Sequence, residues 1–483
     1  MTMPPDRLGP ADELSMLRTT ARDLVRRAPV TTTTAASIRD AARVMAGRDV
    51  SSVVILNASR VVGIVTDRDL RRHVVATGLD PADSVVSIMT AGPLTVDVDA
   101  RAFEVMLAMM DARIHHLPVV DSGRLVGVVT SSDLGRFEDA DPVHLVRDIG
   151  SRADPAGVAS ACARMPSIVD RLARRGAGAD DLGRVVTAIA DAATTRAVQL
   201  AAAGTGLAPD AFCWVALGAH GRGELTLDGR QDNALVLADG QDEQRARDVA
   251  AQVVDTLLAC GFPAGLVATT DPGPSTAAEW RGRVRAGLEG ESARGLPPEL
   301  FDARRVVGDP VLYDAVFGSA RRVAVTTNGF ARELVDATLR RVDELAGAIA
   351  AVDDRDVDGP ALRTAGAIRD VARAFALEGG SARVPTPARL ADAVELGAID
   401  AGSAGALSSA YSVLAQAGVR MDVMRVPPTP ADAAAVRSAC SAAGHVARDL
   451  RASVAQPTPP THPPTPPSPP TAPSPARVAE ALS

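Results

Sequence analysis

The sequence contains no lysine, so all 51 basic side chains among its 483 residues are arginine. This absence excludes a lysine nucleophile, a lysine Schiff base and a P-loop, whose motif requires lysine. Aromatic residues are scarce as well, with 8 Phe, 2 Trp and 2 Tyr, so the cores must be built from aliphatic side chains. The apolar fraction of 46% is ordinary for globular domains. The length favours about three domains of roughly 150 residues each.

Signals for other compartments and for two classes of partner are also missing. The four cysteines form no CxxC pair, which indicates neither a zinc site nor a disulfide framework and fits a reducing cytosol. No run approaches the ~18 apolar residues of a membrane helix, and residues 1–23 lack the apolar core of a signal peptide. The net charge of −8 argues against a nucleic-acid-binding protein, which usually carries a basic stripe. We therefore expect a cytoplasmic protein with no nucleic-acid or membrane partner.

A repeat with a period of 64 residues occupies the N-terminal part of the chain. Each copy contains a helical pattern, two apolar strand patterns and the motif G-h-h-T-x-x-D-L, in which h is an apolar residue. The motif supplies Thr66 and Asp69 in the first copy and Thr130 and Asp133 in the second. Because several landmarks share one offset, a chance coincidence is improbable, and the sequence predicts two copies of one structural unit.

This repeat resembles a tandem CBS-domain pair, in which two β-α-β-β-α units pack into one disc. The resemblance implies that the two threonines and two aspartates bind an adenine nucleotide, AMP or ATP, at one or both sites. The hydroxyl and the helix N-terminus would meet the phosphate, and the aspartate would meet the ribose. CBS pairs usually assemble face to face, which implies a homodimer through this domain. The same four side chains also suit plain capping of the following helices, and this alternative stays open.

A second motif lies in the middle of the chain between two buried strand patterns. The first strand pattern, residues 212–217, is followed by the glycine-rich run 218–224, and the second opens with Gln-Asp-Asn at 231–233. Glycines let a backbone approach a triphosphate, and an acid on the next strand is a ligand that Mg²⁺ accepts. Nucleotidyl transfer requires little beyond positioning, a metal and arginine, so these residues predict a site of that kind.

The middle motif resembles the DUF294 family of nucleotidyltransferases, which have a polymerase-beta-like fold and are related to the uridylyltransferase of the PII signalling protein. The positions that match the family pattern are Gly218, Gly221, Arg222, Glu224 and residues 231–235. The resemblance implies that the two glycines and Arg222 cradle the phosphates of a nucleotide. It further implies that Glu224 orients Arg222.

The resemblance also implies a metal site. Residues 301–309 match a strand motif of the family, F-D-x-R-x-V-x-G-D, and place an acid at Asp302. Asp232 and Asp302 would then hold Mg²⁺ and, with Arg222, form the catalytic set. The alternative role for Asp302 is to cap the turn beside its strand, and both roles stay open.

Two departures from the family pattern damage this metal motif. Ala219 stands where the family has a serine, and Arg230 stands where it has the first of two paired acids. Residues 230 and 232 of an extended strand face the same side, so Arg230 would pair with Asp232 and neutralise it. Asp228, two residues earlier, is a candidate replacement, although Gly229 favours a turn there.

The remaining sequence completes a multidomain α+β architecture. Apolar periodicity predicts a helical connector and a C-terminal helical bundle, and the bundle resembles the substrate-binding domain that follows this transferase domain. The charged face of the bundle is expected to be solvated, and a Pro-, Thr- and Ser-rich tail is expected to be disordered. The predicted order is an N-terminal extension (1–21), the CBS pair (22–138), the connector (139–205), a degenerate nucleotidyltransferase-like α/β domain (206–318), the helical bundle (319–450) and the tail (451–483).

Two functions fit this organisation. One is a uridylyltransferase-like nucleotidyltransferase in signal transduction, regulated by adenine nucleotide at the CBS pair and acting on a protein or small-molecule hydroxyl. The other is a catalytically inactive nucleotide sensor, which Ala219 and Arg230 favour. A third reading, a structural hub that uses the Pro-rich tail, has no signature beyond that tail.

Overall fold

A computed structural model describes residues 19–112, 114–134, 141–263, 273–289, 298–321, 330–349 and 352–454. The strands are β1 (Thr31–Thr33), β2 (Ser52–Asn57), β3 (Arg60–Thr66), β4 (Thr90–Ala91), β5 (Val96–Asp97), β6 (His116–Asp121), β7 (Arg124–Thr130), β8 (Phe212–Leu217), β9 (Asp232–Leu237), β10 (Ser275–Thr276) and β11 (Arg304–Gly308). The helices are α1 (Ala21–Leu24), α2 (Ile38–Arg48), α3 (Asp67–Asp69), α4 (Ala102–Ala112), α5 (Ser131–Leu134), α6 (Asp141–Ser151), α7 (Pro155–Cys162), α8 (Met165–Arg174), α9 (Ala179–Thr205), α10 (Gly218–Arg222), α11 (Glu243–Ala259), α12 (Ala277–Glu289), α13 (Pro310–Tyr313), α14 (Phe330–Ala348), α15 (Asp358–Gly379), α16 (Thr386–Glu395), α17 (Ala401–Gly418) and α18 (Pro430–Val454). The predicted multidomain α+β class is confirmed.

The two halves of the N-terminal repeat have the same topology. In each half a short strand runs parallel to the first strand of a hairpin, and a helix connects them. The hairpins β2–β3 and β6–β7 and the helices α2 and α4 are offset by 64 residues. Both hairpins carry an irregularity at the same place, between Ile55 and Leu56 and between Val119 and Val120. The predicted tandem repeat is confirmed.

The connector joins the repeat to the central sheet through one hydrophobic core. Buried residues of α4, of the connector helices and of one face of the central sheet belong to a single cluster, with α9 running through it. The first half of the repeat has a separate small core. The second half is therefore anchored to the connector and the central sheet, whereas the first half packs largely on itself.

The central sheet has the strand order β10-β9-β8-β11 and is antiparallel except for the β10–β9 pair. All six residues of β8 are buried, which explains its uninterrupted apolar sequence. The glycine-rich run after β8, predicted as a turn, forms the short helix α10. Arg230 precedes β9 and is exposed, so the prediction that residues 230 and 232 share one strand face is wrong.

The C-terminal bundle, α14 to α18, has its own core of alanine and larger aliphatic side chains. The prediction of a solvated charged face is wrong for Arg373 in α15, which is 4% exposed. Arg389 in α16 is also buried, at 2% exposure. The first four residues of the predicted tail end α18, and residues 455–483 lie outside the described residues, as do residues 1–18 of the predicted extension.

Candidate functional site

A cleft of about 720 Å³ opens between the two halves of the repeat. Thr66, Asp69 and Thr130 line it, together with His115 and His116. Burial lowers the pKa of both histidines. They are therefore largely neutral at neutral pH.

The threonines and aspartates of the motif cap their own helices in this structure. The Thr66 backbone N–H and hydroxyl both donate to Asp69 Oδ2, at 2.9 and 2.7 Å. The same two bonds join Thr130 to Asp133, at 2.8 and 2.6 Å. Asp133 is not among the residues that line the cleft. The capping alternative is thus realised at both positions, and a ribose at Asp69 would have to share that carboxylate with the cap.

Three arginines line the same cleft: Arg68 and Arg71 follow β3, and Arg147 lies on α6 of the connector. Within the described parts of the chain, none of the three side chains forms a hydrogen bond or an ion pair. Exposed, unpaired guanidinium groups that face one cleft favour a polyanion.

The second candidate site surrounds the loop between β8 and β9. Gly218 has φ of +56°, a left-handed conformation that favours glycine. A Cβ atom at Gly218 would lie 3.1 Å from Asp232 Oδ2 and 3.6 Å from Glu299 Cγ. Asp232 opens β9 directly opposite Leu217 in the register. Asp232 therefore lies at the glycine loop, and Glu299, which no sequence motif indicated, also lies beside Gly218.

The absence of a side chain at Gly221 allows two backbone segments to pack closely in this structure. A Cβ atom there would lie 1.8 Å from the Asp302 carbonyl oxygen and 2.9 Å from the Ala216 carbonyl oxygen. Arg222, the next residue, is 5% exposed; its Nε donates to Glu224 Oε2 at 2.7 Å, and its Nη1 donates to Asp302 Oδ2. The second carboxylate oxygen of Glu224 accepts from a backbone N–H of α16. Glu224 thus contacts Arg222, as the resemblance implied.

Asp302 is fully buried at the centre of a triple-arginine cluster formed with Arg222, Arg373 and Arg389. Arg373 Nε and Nη2 donate to its two carboxylate oxygens at 2.9 and 2.6 Å, and Arg389 Nη1 donates at 2.6 Å. Burial alone would raise the pKa of Asp302, but Arg373 and Arg222 outweigh it and hold the pKa well below the usual range. The cluster joins the domain of the central sheet to the bundle.

These contacts decide how well the predicted metal ligands fit Mg²⁺. Both oxygens of Asp302 already accept bonds from arginine, so they could reach a cation only if an arginine left. Asp228 and Arg230 are exposed and lie outside the strand that begins at Asp232. The described residues contain no group of three or more His, Cys, Asp or Glu side chains placed to hold a metal ion. In this arrangement Asp232 and Asp302 do not fit a shared Mg²⁺ site.

A further polar network near the loop was not predicted in detail. Asp191 on α9 receives two bonds from Arg304, at 2.7 and 3.0 Å, and pairs with His220 Nε2 at 2.8 Å. Burial opposes ionisation of Asp191, but His220 and Arg304 together hold its pKa well below the usual range. Neither partner could be assigned from sequence, because each lies far along the chain.

Three family models match the chain. The CBS domain model matches residues 21–76 and 85–137. The model described as "Putative nucleotidyltransferase DUF294" matches residues 163–293, and "Putative nucleotidyltransferase substrate binding domain" matches residues 363–429. Within the described residues, no helix has the length and apolar character needed to cross a bilayer.

Several curated relatives and solved structures match part of the chain. The Arabidopsis thaliana CBS domain-containing protein CBSCBSPB2 is 38% identical over 95 residues, 19% of this chain and 18% of that protein. Hypoxic response protein 1 of Mycobacterium tuberculosis is 31% identical over 150 residues, 29% of this chain and 99% of that protein. Among structures, the CBS domain protein PAE2072 from Pyrobaculum aerophilum complexed with AMP is 32% identical and covers 24% of this chain and 89% of its own, with a TM-score of 0.23. The chain therefore spans less than a fifth of the plant relative.

Proposed function

Because the chain belongs to the CBS-domain proteins and carries the DUF294 nucleotidyltransferase domain with its substrate-binding domain, we propose that it senses an adenine nucleotide. The nucleotide, AMP or ATP, would bind the cleft of the CBS pair, and its binding would be reported to the transferase module. The observation that carries this proposal is the cleft of about 720 Å³. Residues of both repeat motifs line it together with three arginine side chains that form no ion pair among the described residues.

The charge of the cleft supports a nucleotide with several phosphates. Arg68, Arg71 and Arg147 would meet the phosphate oxygens, because guanidinium groups form paired hydrogen bonds with them. Thr66 and Thr130 would face the same chain of phosphates from the strand ends. The three arginines outnumber the two aspartates that line the cleft, Asp67 and Asp69, so this charge set favours ATP over AMP.

The position of Arg147 supports communication with the transferase module. Arg147 lies on α6, and α6 packs against α9. Asp191 of α9 in turn bonds with His220 of the glycine loop and with Arg304 of β11. A phosphate bound by Arg147 would therefore restrain α6. Because α6 packs against α9 and α9 bonds to the glycine loop, this restraint would reach the loop.

Replacing Arg147 by alanine is expected to weaken ATP binding about fivefold, because one exposed arginine–phosphate contact contributes ~1 kcal/mol. Adenosine, which has no phosphate, should bind both proteins equally. Isothermal titration calorimetry on the full chain measures both affinities. Arg39→Ala is the matched control, since Arg39 is an exposed arginine of the same domain outside the cleft. Equal ATP affinity in the two variants would contradict the assignment.

Nucleotidyl transfer is the second candidate, and Asp232 with Glu299 beside Gly218 favours it. In this proposal the two carboxylates would face the nucleotide at the loop, and Arg222 would act by positioning Glu224 and the loop backbone. Uridylyl specificity, a protein acceptor, a role in signal transduction, a homodimer through the CBS pair and a cytoplasmic location remain predictions.

A further inference from the structure

A second cavity, of about 280 Å³, lies between the glycine loop and the C-terminal bundle. Its wall combines α9, the segment from Ala219 to Gly229, and the bundle helices α15 and α17. Most of the lining is aliphatic. Asp232 does not line it, so this cavity is distinct from the carboxylates beside Gly218.

Besides Glu224 and Thr226 of the loop segment, four polar side chains from separate elements line the cavity. They are Asp180 of α9, Arg369 of α15, Tyr411 of α17 and Asp422 of the π-helical segment Val419–Met424 that follows α17. Among the described residues, none of these side chains takes part in a hydrogen bond or an ion pair. Tyr411 is only 5% exposed, so its hydroxyl is an unpartnered polar group inside the protein. A ligand in the cavity could form a hydrogen bond with this hydroxyl.

The ionisation of these groups is set by their surroundings. Burial, with help from Glu224, raises the pKa of Tyr411, so its hydroxyl remains a donor. Burial also raises the pKa of Asp180 and of Asp422. A bound cation would reverse that effect, because an opposite charge within a few ångströms stabilises the ionised carboxyl.

The arrangement selects the charge of a ligand. Arg369 lies near enough to Glu224 to lower the pKa of that carboxyl, but among the described residues it forms no ion pair. Asp180 and Asp422 form no ion pair there either, although Arg184 lies near Asp180. A nucleotide fits poorly, since its phosphates would face these two acids and the neighbouring Glu224 as well. A molecule with a carboxylate and an ammonium group satisfies both requirements at once, and the aliphatic wall accommodates a small apolar part. We propose that this cavity binds a small zwitterion of the α-amino-acid class, with its carboxylate on Arg369 and Tyr411 and its ammonium group on Asp180 or Asp422.

This site does not depend on nucleotide sensing or transfer. The ligand would touch Ala219, which follows the glycine that lies against Asp232. Bound ligand therefore lies against the loop that the DUF294 pattern marks. The cavity thus offers the chain a second small-molecule input, separate from the CBS cleft.

The test is a thermal-unfolding screen of the full chain with each of the twenty L-amino acids in the absence of nucleotide. At least one is expected to raise the melting temperature, since a ligand of the folded state stabilises it by mass action. The methyl ester of that amino acid and its des-amino analogue should produce no shift, because each lacks one charge. Absence of a shift with all twenty amino acids would overturn the proposal.

Variants locate the binding. Arg369→Gln should weaken binding of the active amino acid at least tenfold by calorimetry, whereas Arg363→Gln, on the exposed side of the same helix, should bind like the wild type. Tyr411→Phe removes only the hydroxyl and should weaken binding several-fold, which keeps the test valid if Arg369→Gln folds poorly. Unchanged affinity in Arg369→Gln and Tyr411→Phe would overturn the assignment. ATP titration of the same samples reports on the CBS cleft separately.

Discussion

Replacing Asp302 by asparagine is expected to lower the free energy of unfolding by about 3–5 kcal/mol, the usual cost of removing one partner from a buried ion pair. Asparagine has nearly the same shape as aspartate, so the change in the free energy of unfolding reports mainly on the loss of the negative charge. It leaves Arg373 and Arg389, both under 5% exposed, facing an uncharged group inside the protein. Arg222 keeps Glu224 as a partner and Arg373 keeps Asp370, whereas Asp302 is the only carboxylate bonded to Arg389 among the described residues.

Urea denaturation of the full chain measures this change. Asp255→Asn is the matched control, because Asp255 is exposed on α11 and the same substitution there should alter stability by less than ~0.5 kcal/mol. A stable Asp302→Asn protein that had lost only Mg²⁺-dependent nucleotide binding would contradict the structural role and restore Asp302 as a metal ligand.

Replacing Gly221 by alanine is expected to destabilise the protein by more than about 3 kcal/mol, the upper range for overpacking a core. The added Cβ would lie 1.8 Å from the Asp302 carbonyl oxygen, and both groups belong to backbone that cannot rotate away. The contact also positions Arg222 beside Asp302, so the triple-arginine cluster would be disturbed together with the loop.

The control for this second prediction is Gly204→Ala. Gly204 lies within α9 with open space around its Cα, so alanine there should be neutral or stabilise the helix by ~1 kcal/mol. Thermal or urea unfolding compares the two variants. If Gly221→Ala unfolds like the wild type and only loses nucleotide binding, Gly221 serves phosphate approach rather than packing.

Local patterns predicted the repeat and the central strands well. The strand β8 is an unbroken apolar run followed by Gly218, and each copy of the repeat motif is a short pattern that recurs at one offset. The signal for each therefore lies within a few residues. The threonine–aspartate caps were also foreseeable, because a capping side chain and its partner are three residues apart.

Contacts between distant segments could not be predicted in this way. Arg373 and Arg389 meet Asp302 across 71 and 87 residues of sequence. On their helices both arginines fit a charged surface, and only the packing of the bundle against the transferase module buries them. Glu299 was missed for the same reason, since nothing in its local sequence indicates that it lies beside Gly218.

The most direct test of nucleotide sensing is a calorimetric titration of ATP and UTP into the full chain, with and without Mg²⁺, for the wild type and for Asp232→Asn. We expect ATP to bind without Mg²⁺ and to bind Asp232→Asn with unchanged affinity, because the CBS cleft holds it. An additional Mg²⁺-dependent binding event that Asp232→Asn abolishes would support nucleotidyl transfer as a second activity. ATP binding that requires Mg²⁺ and disappears in Asp232→Asn, or no ATP binding at all, would contradict a nucleotide-sensing CBS cleft.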